Sequence, residues 1–398
     1  MTLVLEMETQ KQLFHYAIFA LKLTGMWRLG TPHFPNIFEY IYVIYSLVLK
    51  VICMSLTVSM AVDIPNVLRT DPDKAIDSIS KLTYCILLFA KVLSYPNISR
   101  EILPQALSYE RCIYDQHHSA TMEIYTKHVN FCHTLSKFFY VSTMFTGTAF
   151  SGFGIINSLQ FHKHNTNSNQ TLNKPLPLQL WYPYDKNRHH VWALMHQVVS
   201  ISVWTIFIIS LQVFSNSTLI FLRSQLKVLQ NQFRNFNKHV GGDEHVLDRG
   251  RAVIKSLKAL CVAHQNLLRY IQVVNEAFKA TIFFEYAVIS LILGMVLFQI
   301  IAGLEASLNS TFGFVVISQL MLLSWTTDEI VVQSSELASA LYESKWFEQN
   351  KKSMLFIRFM IMRCQKPISI DIGPFGPMTM FSAMSRLKLA YSYTSVML

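Results

Sequence analysis

A chain of 398 residues that is 52% hydrophobic, 13% aromatic and only 15% charged, with a mean hydropathy of +0.31, falls outside the ordinary soluble classes. Apolar runs of membrane-spanning length are spread over the whole sequence, which defines an all-α, polytopic membrane protein. The net charge of +10 raises nucleic acid or anionic lipid as a partner, but the basic residues gather in alternate loops, so the reading takes membrane lipid and no nucleic acid.

The six cysteines (Cys53, Cys85, Cys112, Cys132, Cys261 and Cys364) are scattered with no CxxC pair. No disulfide framework, metal site or cofactor is expected from them. The tail covers residues 1–35 and shows no signal-peptide pattern, so the first span is expected to direct insertion. That span fits 36–60, with Lys50 its one charge. A short loop with Asp63, Pro65 and Asp71-Pro72 leads to a second span at 75–94, where Lys91 is placed to snorkel to the interface. Residues 95–133 are polar and partly helical, and a third span fits 134–159.

A polar loop, 160–190, precedes the fourth span at 191–220. Beyond it Leu222, Leu226, Leu229, Phe233 and Phe236 recur in steps of four and three, a seam for another helix. Gly241-Gly242 breaks that stretch. A second seam, Val253, Leu257, Leu260, His264, Leu267, Ile271, Val274 and Phe278, feeds the fifth span at 280–303. The sixth, 312–332, runs on as helix toward Trp346. An apolar and basic segment follows until Pro367 and then Gly373-Pro374-Phe375-Gly376-Pro377 interrupt it. A last segment, 378–398, is just long enough to cross a bilayer at roughly 20 residues.

This gives seven transmembrane helices and six regions: the tail 1–35, spans one to four over 36–221, a cytoplasmic helical segment 222–279, spans five and six over 280–333, a second cytoplasmic segment 334–374, and the final helix 375–398. On that helix Ser382, Ser385, Leu389, Ser392 and Val396 share one face. Two readings fit: serines bonded to their own backbone or a neighbouring helix, or a helix that faces water.

Lysine and arginine set the orientation. Of 34 basic residues, about 24 lie in the tail, 91–137, 222–279 and 340–374, and about six in the alternate loops. The N-terminus is therefore read as cytoplasmic and the C-terminus as extracellular. The sequons at Asn169 and Asn309 then fall outside, as glycosylation requires. That orientation is opposite to a G-protein-coupled receptor, and neither Asp-Arg-Tyr after span three nor Asn-Pro-x-x-Tyr in span seven is present. A secondary transporter predicts internal repeats and paired broken helices, whereas one interrupted segment is visible. No Walker loop, GxSxG or carboxylate dyad within a span points to an enzyme. The histidines at 117–118, 162, 164 and 189–190 read as solvent-facing loop residues.

The stretch QLMLLSWTTDEIVVQSSELASALYESKW, from Gln319 to Trp346, resembles the sixth span and cytoplasmic extension of insect odorant receptors. QKPISI resembles the stretch before that family's last helix, and AYSYTSVML resembles its Ser-Tyr-Ser ending. Weaker similarities are Lys91, the Leu176-Pro177…Trp181-Tyr182-Pro183 run and His264. The chain departs from the family pattern at Asn216 and at Thr327-Asp328. Its ending differs from the Thr-Tyr…Gln-Phe motif of gustatory receptors, the homotetrameric alternative, and its cytoplasmic loop is shorter than the co-receptor's.

The resemblance implies a ligand-tuning subunit of an odorant-gated, non-selective cation channel in the plasma membrane of a sensory dendrite. It implies a heterotetramer with the common co-receptor, a shared cytoplasmic anchor built from the two seams and the 346–363 segment, and a pore lined by helix seven. Ser392 and Ser395 would line that pore, with Val396 and Leu398 as a gate closing by dewetting. A volatile would bind in the outer half, among spans two, three, four and six, the candidates being Ser80, Thr83, Tyr84 and Leu87 of span two, Phe145, Thr148, Ala149 and Gly152 of span three, and Gln197, Val198 and Ile201 of span four. Arg386 and Lys388 would snorkel or pair with Asp328 or Glu329, and the aromatic run from Trp181 to Tyr184 would act as a lid or an interfacial belt.

Overall fold

The structure, a computed structural model, describes residues 12–27, 37–115, 119–164, 174–237 and 246–397. Nine α-helices appear among them, and no strand. They are α1 (His15–Leu23), α2 (Ile37–Thr70), α3 (Pro72–Asp115), α4 (Ser119–His164), α5 (His190–Arg234), α6 (Val246–Ile301), α7 (Ala306–Tyr342), α8 (Lys351–Cys364) and α9 (Met380–Met397). Helices α2 to α7 and α9 coincide with the seven expected spans.

Most helices greatly outrun the membrane. A 56-residue α6 is about 84 Å long at 1.5 Å per residue, against roughly 30 Å of hydrocarbon. The surplus of α3, α4, α5, α6 and α7 falls in the basic segments. The expected polar stretch after span two is thus helix on both sides of residues 116–118. Pro65, read as part of a loop, lies inside α2, which stops only before Pro72.

Among the described residues, five helices are long and apolar enough to cross a membrane: α2, α4, α5, α6 and α7. Helix α3, with Lys81 and Lys91 in its span, and α9, with its serines, Arg386 and Lys388, are not among them. The α3 charges are paired inside the bundle. Lys91 Nζ lies 2.7 Å from Glu285 Oε2 on α6, with side-chain exposures of 7% and 9%. The expected snorkelling of Lys91 is therefore overturned, since a carboxylate on the facing helix holds the ammonium inside.

Helix α5 is the hub. Two-thirds (67%) of its span window is buried, against 22% for α2 and 17% for α4. Small hydroxyl residues let neighbours approach it closely. Ser215 meets Tyr95 Oη at 2.6 Å, Ser217 meets Cys132 Sγ at 3.4 Å, and Ser210 meets Thr24 at 3.2 Å. Thr218 donates to Phe214 O at 2.9 Å within its own helix. Helix α1 is seated by a buried carboxylate, for Glu110 accepts from Leu13 N and Tyr125 Oη, both at 2.8 Å. Burial pushes the Glu110 carboxyl up despite these two donors.

Both seams are buried within this one chain. Phe236, Val253 and Leu257 form a small core with Ile357 of α8, while Leu222, Leu226, Phe233 and Val274 join the main core. Intra-chain packing thus takes the two seams expected at a subunit anchor. The 346–363 segment, the third surface expected there, leaves Phe347, Leu355, Phe359 and Met362 more than half exposed, as is Tyr342 before it. The Gly241-Gly242 break lies outside the described residues.

His264 sits between these elements, Nδ1 4.0 Å from Cys364 Sγ and the ring edge-on to Phe233 at 6.1 Å. Burial, aided by the Arg363 charge, pushes its imidazole down to about 4. Between the ordinary histidine value of about 6.5 and that pH, the unfolded chain binds a proton that the folded chain refuses. Stability therefore falls with falling pH through this window, by up to about 2–3 kcal/mol. The melting temperature of solubilised protein should drop between pH 7 and 5, and less steeply in His264→Gln. Equal slopes would show that other groups carry the acid sensitivity.

After α8 the chain reverses through a short bridge, Met378 N to Ile370 O and Ile372 N to Gly376 O, both 2.8 Å. Gly373 (φ +51) and Gly376 (φ +88) supply the left-handed backbone this turn needs. Pro367 comes three residues after α8 ends at Cys364.

Candidate functional site: an apolar cavity and the final helix

A cavity of about 120 Å³ opens between α2, α3, α4, α5 and α7. Its wall is largely apolar: Leu56 and Met60 from α2, Cys85 and Leu88 from α3, Phe150 from α4, Ile208 from α5, Phe312 and Val315 from α7. It is somewhat smaller than the roughly 150 Å³ apolar cavity known to hold benzene. Leu178, from the segment between α4 and α5, closes one side.

Of the residues expected to bind a ligand, Tyr84 and Ile201 line this cavity. The others are placed differently. Ser80 is buried and accepts from Gln299 Nε2 of α6 at 3.2 Å. Thr83 donates to Ile79 O at 2.7 Å, and Leu87 is buried in helix packing. Phe145 is 65% exposed, and Thr148 is exposed while donating to Met144 O at 2.9 Å. Ala149 and Gly152 are half-buried, and a Cβ on Gly152 would meet open space. Val198 is half-buried away from the wall.

The mismatch is rotational. On α4 the wall is Thr143, Thr146, Gly147 and Phe150, two residues from the expected set and so about 200° around the helix. On α3 it is Lys81, Tyr84, Cys85 and Leu88, one residue or about 100° away. On α5 the face is right but the depth is not, since Ile201 is followed by Trp204, Thr205 and Ile208. A glycine in the third span was the available signal. A Cβ at Gly147 would fall 2.4 Å from Thr205 Oγ1, so that is where α4 meets α5 and where the wall must lie.

Gln197 has a different task. Its Oε1 accepts from Leu178 N at 2.9 Å and its Nε2 donates to Leu178 O at 3.1 Å. This two-point clamp fixes the backbone of a residue that closes the cavity. Pro177 is seated in a notch at Gly154, where a Cβ would lie 2.1 Å from the proline ring. Tyr182 Oη reaches His196 Nδ1 at 3.1 Å, His196 Nε2 reaches Ser55 at 3.0 Å, and Trp181 N donates to Ser59 O at 3.2 Å. The aromatic run is therefore tied to α2 and α5. Gln197→Leu leaves the Leu178 N–H and C=O buried without partners, at about 1–3 kcal/mol each. A lower melting temperature of the solubilised protein is expected.

Helix α9 packs one stripe on α6 and α7 and leaves the other free. Ala383, Ala390 and Thr394 are buried, and Thr394 donates to Gly294 O at 3.1 Å. Gly294 permits that approach, since a Cβ there would lie 3.2 Å from Ala390 O. The free face carries Phe381, Met384, Ser385, Lys388, Tyr391, Ser392, Ser395 and Val396, with Val396 86% exposed. Ser392 and Ser395 donate to Lys388 O and Tyr391 O at 3.1 and 3.2 Å while staying exposed, so these two serines are bonded to their own backbone. Leu398 lies outside the described residues.

Ser382 belongs to the packed side, 3.0 Å from Tyr286 Oη, which also meets Ser324 at 2.9 Å. Arg386 stacks its guanidinium 5.6 Å from the centroids of Tyr286 and Phe375. Glu329 is taken by Arg223 at 3.2 Å, so the expected pairing of Arg386 with that carboxylate is replaced by ring stacking. Asn309 is 1% exposed, and its Nδ2, where a glycan would attach, donates to Leu304 O at 2.8 Å. Packing thus occupies that sequon. Asn169 lies outside the described residues.

A bundle of membrane-length helices around a small apolar cavity, with one polar helix at its edge, defines a multi-pass membrane protein. The comparisons agree. The family model described as 7tm Odorant receptor matches residues 71–391, and the chain belongs to that family.

Odorant receptor 10 of Aedes albopictus is 29% identical over 187 residues, which are 46% of this chain and 48% of that protein. The match thus spans about half of that relative's length. Odorant receptor 22b of Drosophila melanogaster is 21% identical over 72% of this chain and 67% of its own. The insect olfactory receptor OR5 from Machilis hrabei superposes with a TM-score of 0.77 at 16% identity over 98% of both chains. The same receptor in complex with eugenol gives 0.76 at 15% identity, over 96% of both. The fold is accordingly the seven-helix membrane fold of insect olfactory receptors, and the chain is no enzyme.

Proposed function

We propose that this chain is the ligand-tuning subunit of an odorant-gated, non-selective cation channel. The observation that carries the reading is the apolar cavity between α2, α3, α4, α5 and α7, of a size suited to a small volatile. The relative solved with eugenol supports a ligand of that kind. The exposed face of α9, with Ser392, Ser395 and Val396, supports a pore that forms when several subunits each contribute a last helix.

The partner in this reading is the common co-receptor, in a heterotetramer, and the apolar surface of Tyr342, Phe347, Leu355, Phe359 and Met362 supplies an anchor contact. Charge asymmetry supports a cytoplasmic N-terminus, and the setting is the plasma membrane of a sensory dendrite. The test is whole-cell current during a volatile panel, in cells expressing this chain with and without the co-receptor. Rapid cation current only with the partner is expected. Current from this chain alone would replace the heteromer by a self-sufficient channel, and silence in both despite surface expression would remove the channel reading.

A further inference from the structure

Besides the weak Cys85 thiol, the cavity wall contains six side chains with N–H or O–H hydrogens, and four of them are already engaged. Lys81 Nζ is 2.6 Å from Asp77 Oδ2, and Tyr84 Oη donates to Gln319 Oε1 at 3.1 Å. Thr146 donates to Ser142 O at 3.1 Å and Thr205 to Ile201 O at 2.8 Å. The remaining two are Trp204 Nε1 and Thr143 Oγ1. Both atoms are buried and make no hydrogen bond among the described residues. Their residues are 5% and 3% exposed, and both line the cavity.

A buried donor without a partner costs about 1–3 kcal/mol, and buried polar groups are almost always satisfied. An indole N–H is a donor only, so whatever satisfies Trp204 must bring an acceptor. A threonine hydroxyl can give its hydrogen to the same atom. One carbonyl oxygen, with two lone pairs, can accept from both. A hydrocarbon satisfies neither, and an alcohol has a hydroxyl hydrogen to place as well.

Resting on the odorant-binding reading above, we propose that this cavity selects compact carbonyl volatiles, with the carbonyl oxygen accepting from Trp204 Nε1 and Thr143 Oγ1. The apolar walls from Leu56, Met60, Leu88 and Val315 take the hydrocarbon part. Trp204 and Thr143 are then the residues that set chemical class, while the other lining residues set size. Neither was among the residues singled out from the sequence.

The test uses three probes of matched bulk: cyclohexanone, cyclohexanol and methylcyclohexane. Half-maximal concentrations are measured with the co-receptor present, and melting temperatures are measured on the solubilised full chain. The ketone is expected to be effective at a concentration at least tenfold below the hydrocarbon, with the alcohol between them. Trp204→Phe should shrink the ketone's advantage over the hydrocarbon to about threefold or less. Thr143→Val, close in shape to the native residue, should act in the same direction and is the deciding variant if Trp204→Phe fails to reach the surface.

A ketone no better than the hydrocarbon in the native chain overturns the proposal, as does an unchanged ketone preference in the variants or the absence of any thermal shift with all three probes. A ketone-specific thermal shift without current upholds it and instead overturns the channel reading.

Discussion

Breaking the Lys91–Glu285 pair from one side, by Lys91→Met or Glu285→Gln, is expected to cost roughly 3–5 kcal/mol and to deplete the protein from the cell surface. The reason is desolvation. The two side chains are 7% and 9% exposed and 2.7 Å apart, so either one left alone is a buried charge with no counter-charge in contact. The double variant Lys91→Met/Glu285→Leu removes both charges and should regain most of the loss, because a buried pair is worth little against an apolar replacement. Surface biotinylation and thermal unfolding of solubilised protein check both arms. Single variants as abundant as the native chain would show that water reaches the pair and screens it.

The second large effect concerns the cavity. Ile201→Trp projects a bulky ring from a half-buried wall position into a space of about 120 Å³. A volatile that buries about 100–150 Å² of apolar surface there gains roughly 3 kcal/mol at 25 cal/mol per Å². Loss of that site raises the half-maximal concentration more than a hundredfold. Overpacking costs about 1–3 kcal/mol of stability, so surface density must be measured beside the current. Phe145→Ala, on the outer face of α4, is the contrast and should leave the response within about twofold. A Phe145→Ala loss as deep as that of Ile201→Trp would place the ligand elsewhere.

Much of the fold was legible from residues alone. Five apolar runs marked five of the membrane helices outright, and the seams ending at Phe236 and Phe278 were read as helical faces that pack on another helix. The glycines at 373 and 376 marked the reversal before the last helix. Where the sequence reading failed, a partner distant in the chain was responsible. Lys91 looks like a snorkelling lysine until Glu285, nearly two hundred residues away, is brought against it. Arg386 looks like an ion-pair candidate until Tyr286 and Phe375 flank it. Gln197 looks like a ligand contact, and only the path of the loop shows it clamping Leu178.

The candidate site divides in the same way. The helices that surround the cavity were anticipated as spans two, three and four, with six, and the structure adds α2. The faces were not anticipated. Outside the membrane an apolar stripe on a polar helix announces which side is buried, and the cytoplasmic seams were read on that basis. Within the bilayer both sides of a helix are apolar, because lipid and protein interior are alike in polarity. Nothing in the alternation of Thr143, Phe145, Thr146 and Thr148 then says which faces inward. That choice was made by close packing: Gly147 against Thr205, Pro177 against Gly154, and Tyr84 hydrogen-bonded to Gln319. By itself the sequence determined the helical class, most of the membrane crossings and the loops that carry the charge, since these follow from local hydropathy. The tertiary structure decided the rotation of each helix about its axis, and with it the lining of the cavity, because rotation is set by contacts between residues far apart in the chain.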